Sequence, residues 1–182
     1  MSKAFTKEQD DDSEDDLPLP KEIAGKNYMT PAGFKRMQDE LQTIVRKTRP
    51  EITQIVSWAA ENGDRSENGD YLYGKKKLRE LDRRIRFLSK RLDAAEVIDP
   101  LKVKSDQVLF GATVTFEDEE GLQKNYVIVG VDESDIEKKR ISWLSPLAHA
   151  LLRSRVGDVV TFHSPKGRQE LEIIALKYEE ID

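Results

Sequence analysis

Two hydrophobic stripes face each other across a short polar knot, and this pattern constrains the fold of the chain more than any other feature. Tyr71, Gly74, Leu78, Leu81, Ile85, Leu88, Leu92 and Ala95 recur at alternating steps of three and four, the seam of a heptad helix. Upstream, Thr30 can cap a helix with Pro31 in its first position, and Phe34, Met37, Leu41 and Ile44 follow at the same spacing. Pro50 interrupts the series, but Ile52, Ile55 and Ala59 resume it, which predicts a kink and not a stop. Only "ENGDRSEN" separates the two stripes, so each can leave water by folding back on the other as an antiparallel coiled-coil hairpin over residues 26–99. Helices of about 30 residues, at about 1.5 Å per residue, make an arm of about 45 Å with the knot at its tip. A compact bundle would need helices that the sequence does not supply.

From "VLFGATVTF" onward the period changes to two and β-branched residues dominate. Ala112–Phe116, Tyr126–Val131, Val159–Phe162 and Leu171–Leu176 read as strands, with "SPKG" at 164–167 as a hairpin turn. Ser145 and Pro146 open a short helix through "LAHALL". Residues 107–182 are therefore expected to form a small domain in which an antiparallel sheet packs on a short helix, with the boundary at 98–106. The fold class is α+β.

Hydrophobic residues make up 37% of the chain and charged ones 36%, a balance suited to long helices with much surface. There is no cysteine, which excludes disulfides and thiolate chemistry, and the two histidines, His149 and His163, are too few and too far apart to found a zinc site. Neither a secretory signal nor a membrane span is evident, so the chain reads as soluble and cytoplasmic. Residues 1–25 are acidic, poor in aromatics and closed by "LPLP", the composition of a disordered tail. Such a tail is either a solubilising extension or a mimic of nucleic acid that shields basic residues elsewhere.

Those basic residues follow the knot directly. Lys75, Lys76, Lys77, Arg79, Arg83, Arg84, Arg86, Lys90 and Arg91 face only Glu80 and Asp82 in residues 75–91. The run is either a solvated helix face or a path for a phosphate backbone, bound by charge and not by base sequence. Within the knot, Asp64 and Glu67 are three apart, the spacing of a capping box at the start of the second helix, and Asn62-Gly63 has the composition of a left-handed stop for the first. The same two carboxylates, at the end of a long arm, also offer hard oxygen ligands to Mg²⁺, which commonly takes one or two protein carboxylates and keeps its other positions open. Two ligands hold the ion weakly, so a partner would complete the site. Tyr71 and Tyr73 could stack on a base, although Tyr71 is equally the first residue of the seam.

With these parts assembled, "GDRSENGDY" (63–71) resembles the tip signature of the Gre family of bacterial transcript cleavage factors. "KKKLRELDRRIRFLSK" (75–90) is similar to the larger basic patch of the family's GreB branch, and "FGATVTF", "YVIVGVDE" and "ISWLSPLAHALL" resemble its C-terminal domain. The resemblance covers about residues 27–180. It implies an FKBP-like C-terminal domain and an arm that enters the secondary channel of a backtracked RNA polymerase. There, Asp64 and Glu67 would be the catalytic acids and would help hold Mg²⁺ jointly with the polymerase, for hydrolysis of the nascent RNA. Lys75, Lys76, Lys77, Arg79, Arg83, Arg84 and Arg86 would bind the extruded RNA 3′ segment. Asp132, Ser145, Pro146 and Leu147 would dock on the β′ coiled coil at the channel rim, with the factor acting as a monomer that is no enzyme by itself.

The chain departs from the family pattern at Gly69, where Ala is usual, at Leu144, where Asp or Asn is frequent, and at His149, where Arg is frequent. Three other readings compete. A regulator could bind the channel without stimulating cleavage, although retention of both tip acids argues against it. An isomerase is suggested by fold analogy alone. A purely structural coiled coil would not need the acids.

Overall fold

In the computed structural model, residues 26–62, 68–164 and 167–182 are described; the acidic tail, Asp64, Glu67 and the middle of the "SPKG" turn lie outside them. Strand β1 (Asn27–Met29) leads into helix α1 (Pro31–Thr43). Thr30 caps α1 as its sequence predicts, its Oγ1 accepting the Gly33 N–H at 3.0 Å with Pro31 in the first turn. The helix then passes through a π-helical turn, Ile44–Thr48, into α2 (Arg49–Glu61).

Pro50 explains that turn. It has no N–H to give and its ring crowds the carbonyl four residues back, so the helix widens just before it and the Arg49 N–H reaches Ile44 O, five residues away. The widened turn resets the seam. Val56, not Ile55, meets the second helix: a Cβ at Gly74 would lie 2.4 Å from Val56 Cγ2, while Ile55 is 49% exposed.

Helix α3 (Gly69–Asp93) returns antiparallel to α2 and α1, burying Gly74, Leu81 and Leu88 along the predicted seam. Met29, Met37, Ile44, Leu81 and Leu88 form the core of this hairpin. The helix ends before Ala95, which the heptad pattern includes; Ala95 instead starts strand β2 (Ala95–Val97) while still packing on that core. Strand β2 pairs in parallel with β1, tying the two ends of the hairpin together at its base.

The C-terminal part is a five-stranded sheet in the order β5-β4-β3-β7-β6, formed by β3 (Ala112–Asp118), β4 (Gln123–Val129), β5 (Arg140–Ser142), β6 (Val159–Ser164) and β7 (Gly167–Tyr178). It is antiparallel except where β5 runs parallel to β4. A bulge between Thr115 and Phe116 bends β3 against β7. Short helix α4 (Pro146–Leu151), capped by Ser145 Oγ on Ala148 N–H at 3.2 Å, buries Ala148 and Leu151 against Val114, Ile128 and Ile173. The architecture is a helical hairpin followed by a curled, mostly antiparallel sheet with one short helix.

Among the described residues, Tyr28, Arg91 and Thr30 of the arm contact the sheet part. Tyr28 of β1 packs its ring against Phe110 and Trp143, with centroids 5.6 and 5.0 Å away. Arg91 of α3 pairs with Asp132 at 2.6 Å and donates to Asn27 Oδ1 at 2.7 Å. The buried Glu133 carboxylate accepts the Thr30 N–H at 2.9 Å.

Candidate functional site

The far end of the hairpin is closed by two asparagines. Asn62 ends α2, its N–H and its Nδ2 both returning to Trp58 O, at 3.2 and 2.7 Å. Asn68 begins α3, its Oδ1 accepting the N–H groups of Asp70 at 3.1 Å and Tyr71 at 3.3 Å. Its Nδ2 reaches across to Ala59 O at 2.9 Å and so fastens one helix end to the other. Asp70 adds negative charge in the first turn of α3, where the helix dipole favours it.

This arrangement corrects the capping-box expectation. The N-cap of α3 is Asn68, so the helix does not start on an Asp64–Glu67 box. The clue was present in the sequence, since Asn is among the strongest N-cap residues and Asp70 stands two positions on. Asp64 and Glu67 themselves lie outside the described residues, between the two caps. Gly69 is the first residue of α3, where glycine in place of alanine weakens a helix less than it does in the interior.

The basic residues divide by their surroundings. Lys76, Arg79, Arg83, Arg86 and Lys90 repeat at steps of three and four on the side of α3 turned away from the buried Gly74, Leu81 and Leu88. Lys76 and Arg86 make no ion pair among the described residues. Lys75 sits 5.5 Å from the centroid of the Tyr71 ring. Lys77 pairs with Glu80 at 3.1 Å. Arg84 is engaged on two sides: its Nε and Nη2 donate to the two Glu40 oxygens at 2.7 and 2.8 Å, and it lies over the Phe87 ring at 5.2 Å. The hydrogen bond to Glu40 raises the pKa of the Arg84 guanidinium above its ordinary value, against a smaller opposing effect of burial.

At the other end, Asp132 is committed to Arg91, the two side chains being 19% and 13% exposed. Ser145 is the cap of α4 and Leu147 packs partly on the sheet core, while Pro146, Leu144 and His149 are exposed around the start of that helix. Asp132 thus serves the joint between arm and sheet domain; the exposed face beside it is made by Leu144, Pro146 and His149. Among the described residues no helix is long and apolar enough to cross a membrane, and no group of three or more His, Asp or Glu could hold a metal ion.

Both parts of the chain match known families. Residues 27–97 match "Transcription elongation factor, N-terminal", and residues 103–178 match "Transcription elongation factor, GreA/GreB, C-term". The transcription elongation factor GreB of Neisseria meningitidis serogroup B is 57% identical over 158 residues, 86% of this chain and 97% of that one. GreB of Yersinia pestis is 45% identical over 160 residues, 88% of this chain and 94% of that one. Among solved structures, the GreA factor homolog 1 (Gfh1) of Thermus thermophilus aligns over 84% of this chain and 99% of its own, at 26% identity and a TM-score of 0.40. With both parts matched and close to half or more of the residues shared with relatives of nearly full length, the chain belongs to the GreA/GreB family of transcription elongation factors.

Proposed function

We propose that this chain binds RNA polymerase, enters the secondary channel with its helical hairpin and stimulates Mg²⁺-dependent hydrolytic cleavage of a backtracked RNA 3′ segment. The observation that carries the reading is the composition of the arm's end. An Asn68 cap supports the start of α3 without the tip acids, and a row of cations leads away from it along α3. Asp64 and Glu67 supply the hard carboxylate oxygens that Mg²⁺ prefers, and two such ligands leave the rest of the shell to a partner. When bound there, the ion would polarise a phosphodiester oxygen and lower the pKa of a coordinated water.

The chain's own residues do the positioning. Lys76, Arg79, Arg83 and Arg86 hold the extruded RNA by its phosphates, and Asp64 and Glu67 bring negative charge to the scissile end. Pro146 and Leu147, with the exposed residues around them, dock on the polymerase rim. The factor turns over nothing by itself and completes an active site that the polymerase already has.

The test uses stalled, backtracked elongation complexes with labelled RNA and Mg²⁺. The wild-type protein shortens the RNA, and Asp64→Asn and Glu67→Gln bind the complex without shortening it. Equal cleavage by the variants would overturn the role of the tip acids. Binding by the wild type with no cleavage would establish instead a regulator that only occupies the channel.

A further inference from the structure

We propose that Trp58 and Tyr73 form a clamp that stacks on an unpaired RNA base at one flank of the hairpin's end. The proposal rests on the polymerase-bound reading above and adds residues to it. Both rings are large and both are left in water: Trp58 is 62% exposed and Tyr73 68%. Neither stacks on another aromatic ring among the described residues.

Their placement follows from helix geometry. Ala59 and Gly74 are buried contact positions, and Val56 meets Gly74 across the interface. Trp58 directly precedes Ala59, and Tyr73 directly precedes Gly74. In two antiparallel right-handed helices, residues one position before the contact positions emerge on the same flank. The rule is confirmed farther down the arm, where Glu40 precedes Leu41, Arg84 precedes Ile85, and their side chains meet at 2.7 Å.

The levels agree as well. Trp58 lies two residues beyond Val56 toward the tip and Tyr73 one residue beyond Gly74, a difference of about 1.5 Å along the arm. Helices brought together by small residues have axes about 8 Å apart, close enough for two long side chains on one flank and at one level to reach the same base.

The charge around the clamp identifies the occupant. Lys75, Lys76 and Lys77 follow Tyr73 after the single residue Gly74, so the ring stands beside cations that suit a phosphodiester backbone. Aromatic rings next to a cationic track are the combination that single-stranded nucleic acid sites use, and stacking accepts any base because every base has a π face.

The test measures the affinity of the full-length protein for two elongation complexes, one backtracked with an extruded 3′ segment and one halted with the RNA end in the active site. Trp58→Ala and Tyr73→Ala are each expected to weaken binding to the backtracked complex about tenfold and to leave binding to the halted one unchanged. Trp58→Phe should restore most of the loss. A loss of equal size on both complexes would mean that the rings dock on polymerase protein, and no loss on either would mean that they bind nothing; each result overturns the proposal. Unchanged melting temperatures show that the variants fold, as the exposure of both residues predicts. If the wild type binds but leaves the RNA uncut, the cleavage reading fails while the two affinities still decide the clamp.

Discussion

Thr30 and Glu133, separated by 103 positions in the chain, are joined twice: the Thr30 N–H donates to Glu133 Oε2 at 2.9 Å and its hydroxyl donates to Oε1. The same carboxylate accepts the Gly130 N–H at 3.1 Å, and a Cβ at Gly33 would lie 2.1 Å from it. One buried side chain thus holds the cap of the arm's first helix to the sheet domain. Glu133→Ala leaves the buried Thr30 amide without a partner and is expected to lower stability by about 1–3 kcal/mol, with Glu133→Gln milder. Urea unfolding of the full chain checks this, and a change below about 0.5 kcal/mol, the range of ordinary surface substitutions, would remove Glu133 as the link.

Two glycines of α3 should respond to alanine with opposite signs. Gly74→Ala pushes a methyl group into Val56, 2.4 Å away, and overpacking of this kind typically destabilises by about 1–3 kcal/mol. Gly69→Ala meets nothing within 4 Å and removes freedom from the unfolded chain, for a gain of up to about 1 kcal/mol. Thermal unfolding of the two variants side by side tests the pair, and a shift in the same direction would contradict the packing described for this end of the arm.

The cationic residues should separate into two groups by salt dependence. Lys76→Ala and Arg86→Ala remove charges free to meet phosphate, so each is expected to flatten the salt dependence of RNA binding by about 0.7 in the log–log slope. Arg84 is held by Glu40, so Arg84→Ala mainly loosens the hairpin, by at most about 1 kcal/mol for an exposed pair. Titrations of single-stranded RNA at several salt concentrations distinguish these outcomes; an Arg84→Ala slope change as large as that of Lys76→Ala would show that the ion pair opens on binding.

Asp118 gives the turn between β3 and β4 a defined acid response. Its carboxylate accepts the N–H groups of Leu122 at 3.0 Å and Glu120 at 3.2 Å and pairs with Lys124 at 3.2 Å. The Leu122 hydrogen bond is the largest of the effects that hold its pKa below the ordinary 3.8, with burial opposing. A depressed folded value means stability that is present above the ordinary value and lost as pH falls through the lower one. Asp118→Asn should therefore unfold with a shallower loss of stability on acidification than the wild type, and parallel curves would refute the assignment.

Local periodicity was enough to set out the arm and the sheet. The seam along Leu81 and Leu88, the caps at Thr30 and Ser145 and the strand at Ala112–Phe116 all follow from steps of three, four or two between neighbouring residues, and such steps are written in the chain itself. The basic run after the knot was equally plain, and so was the family signature around Asp64 and Glu67. What the periodicity did not carry depends on residues far apart. Strands Asn27–Met29 and Ala95–Val97 are too short to show a pattern and exist because each supplies the other's hydrogen bonds at the base of the hairpin. Val56 displaced Ile55 from the seam because Pro50 widened the helix before it. Asp132 and Glu133 look like surface acids in the sequence. Only the packing of the arm on the sheet domain brought Arg91 and Thr30 within hydrogen-bonding distance of them, because a contact between distant segments is decided by how their faces meet and not by either segment alone.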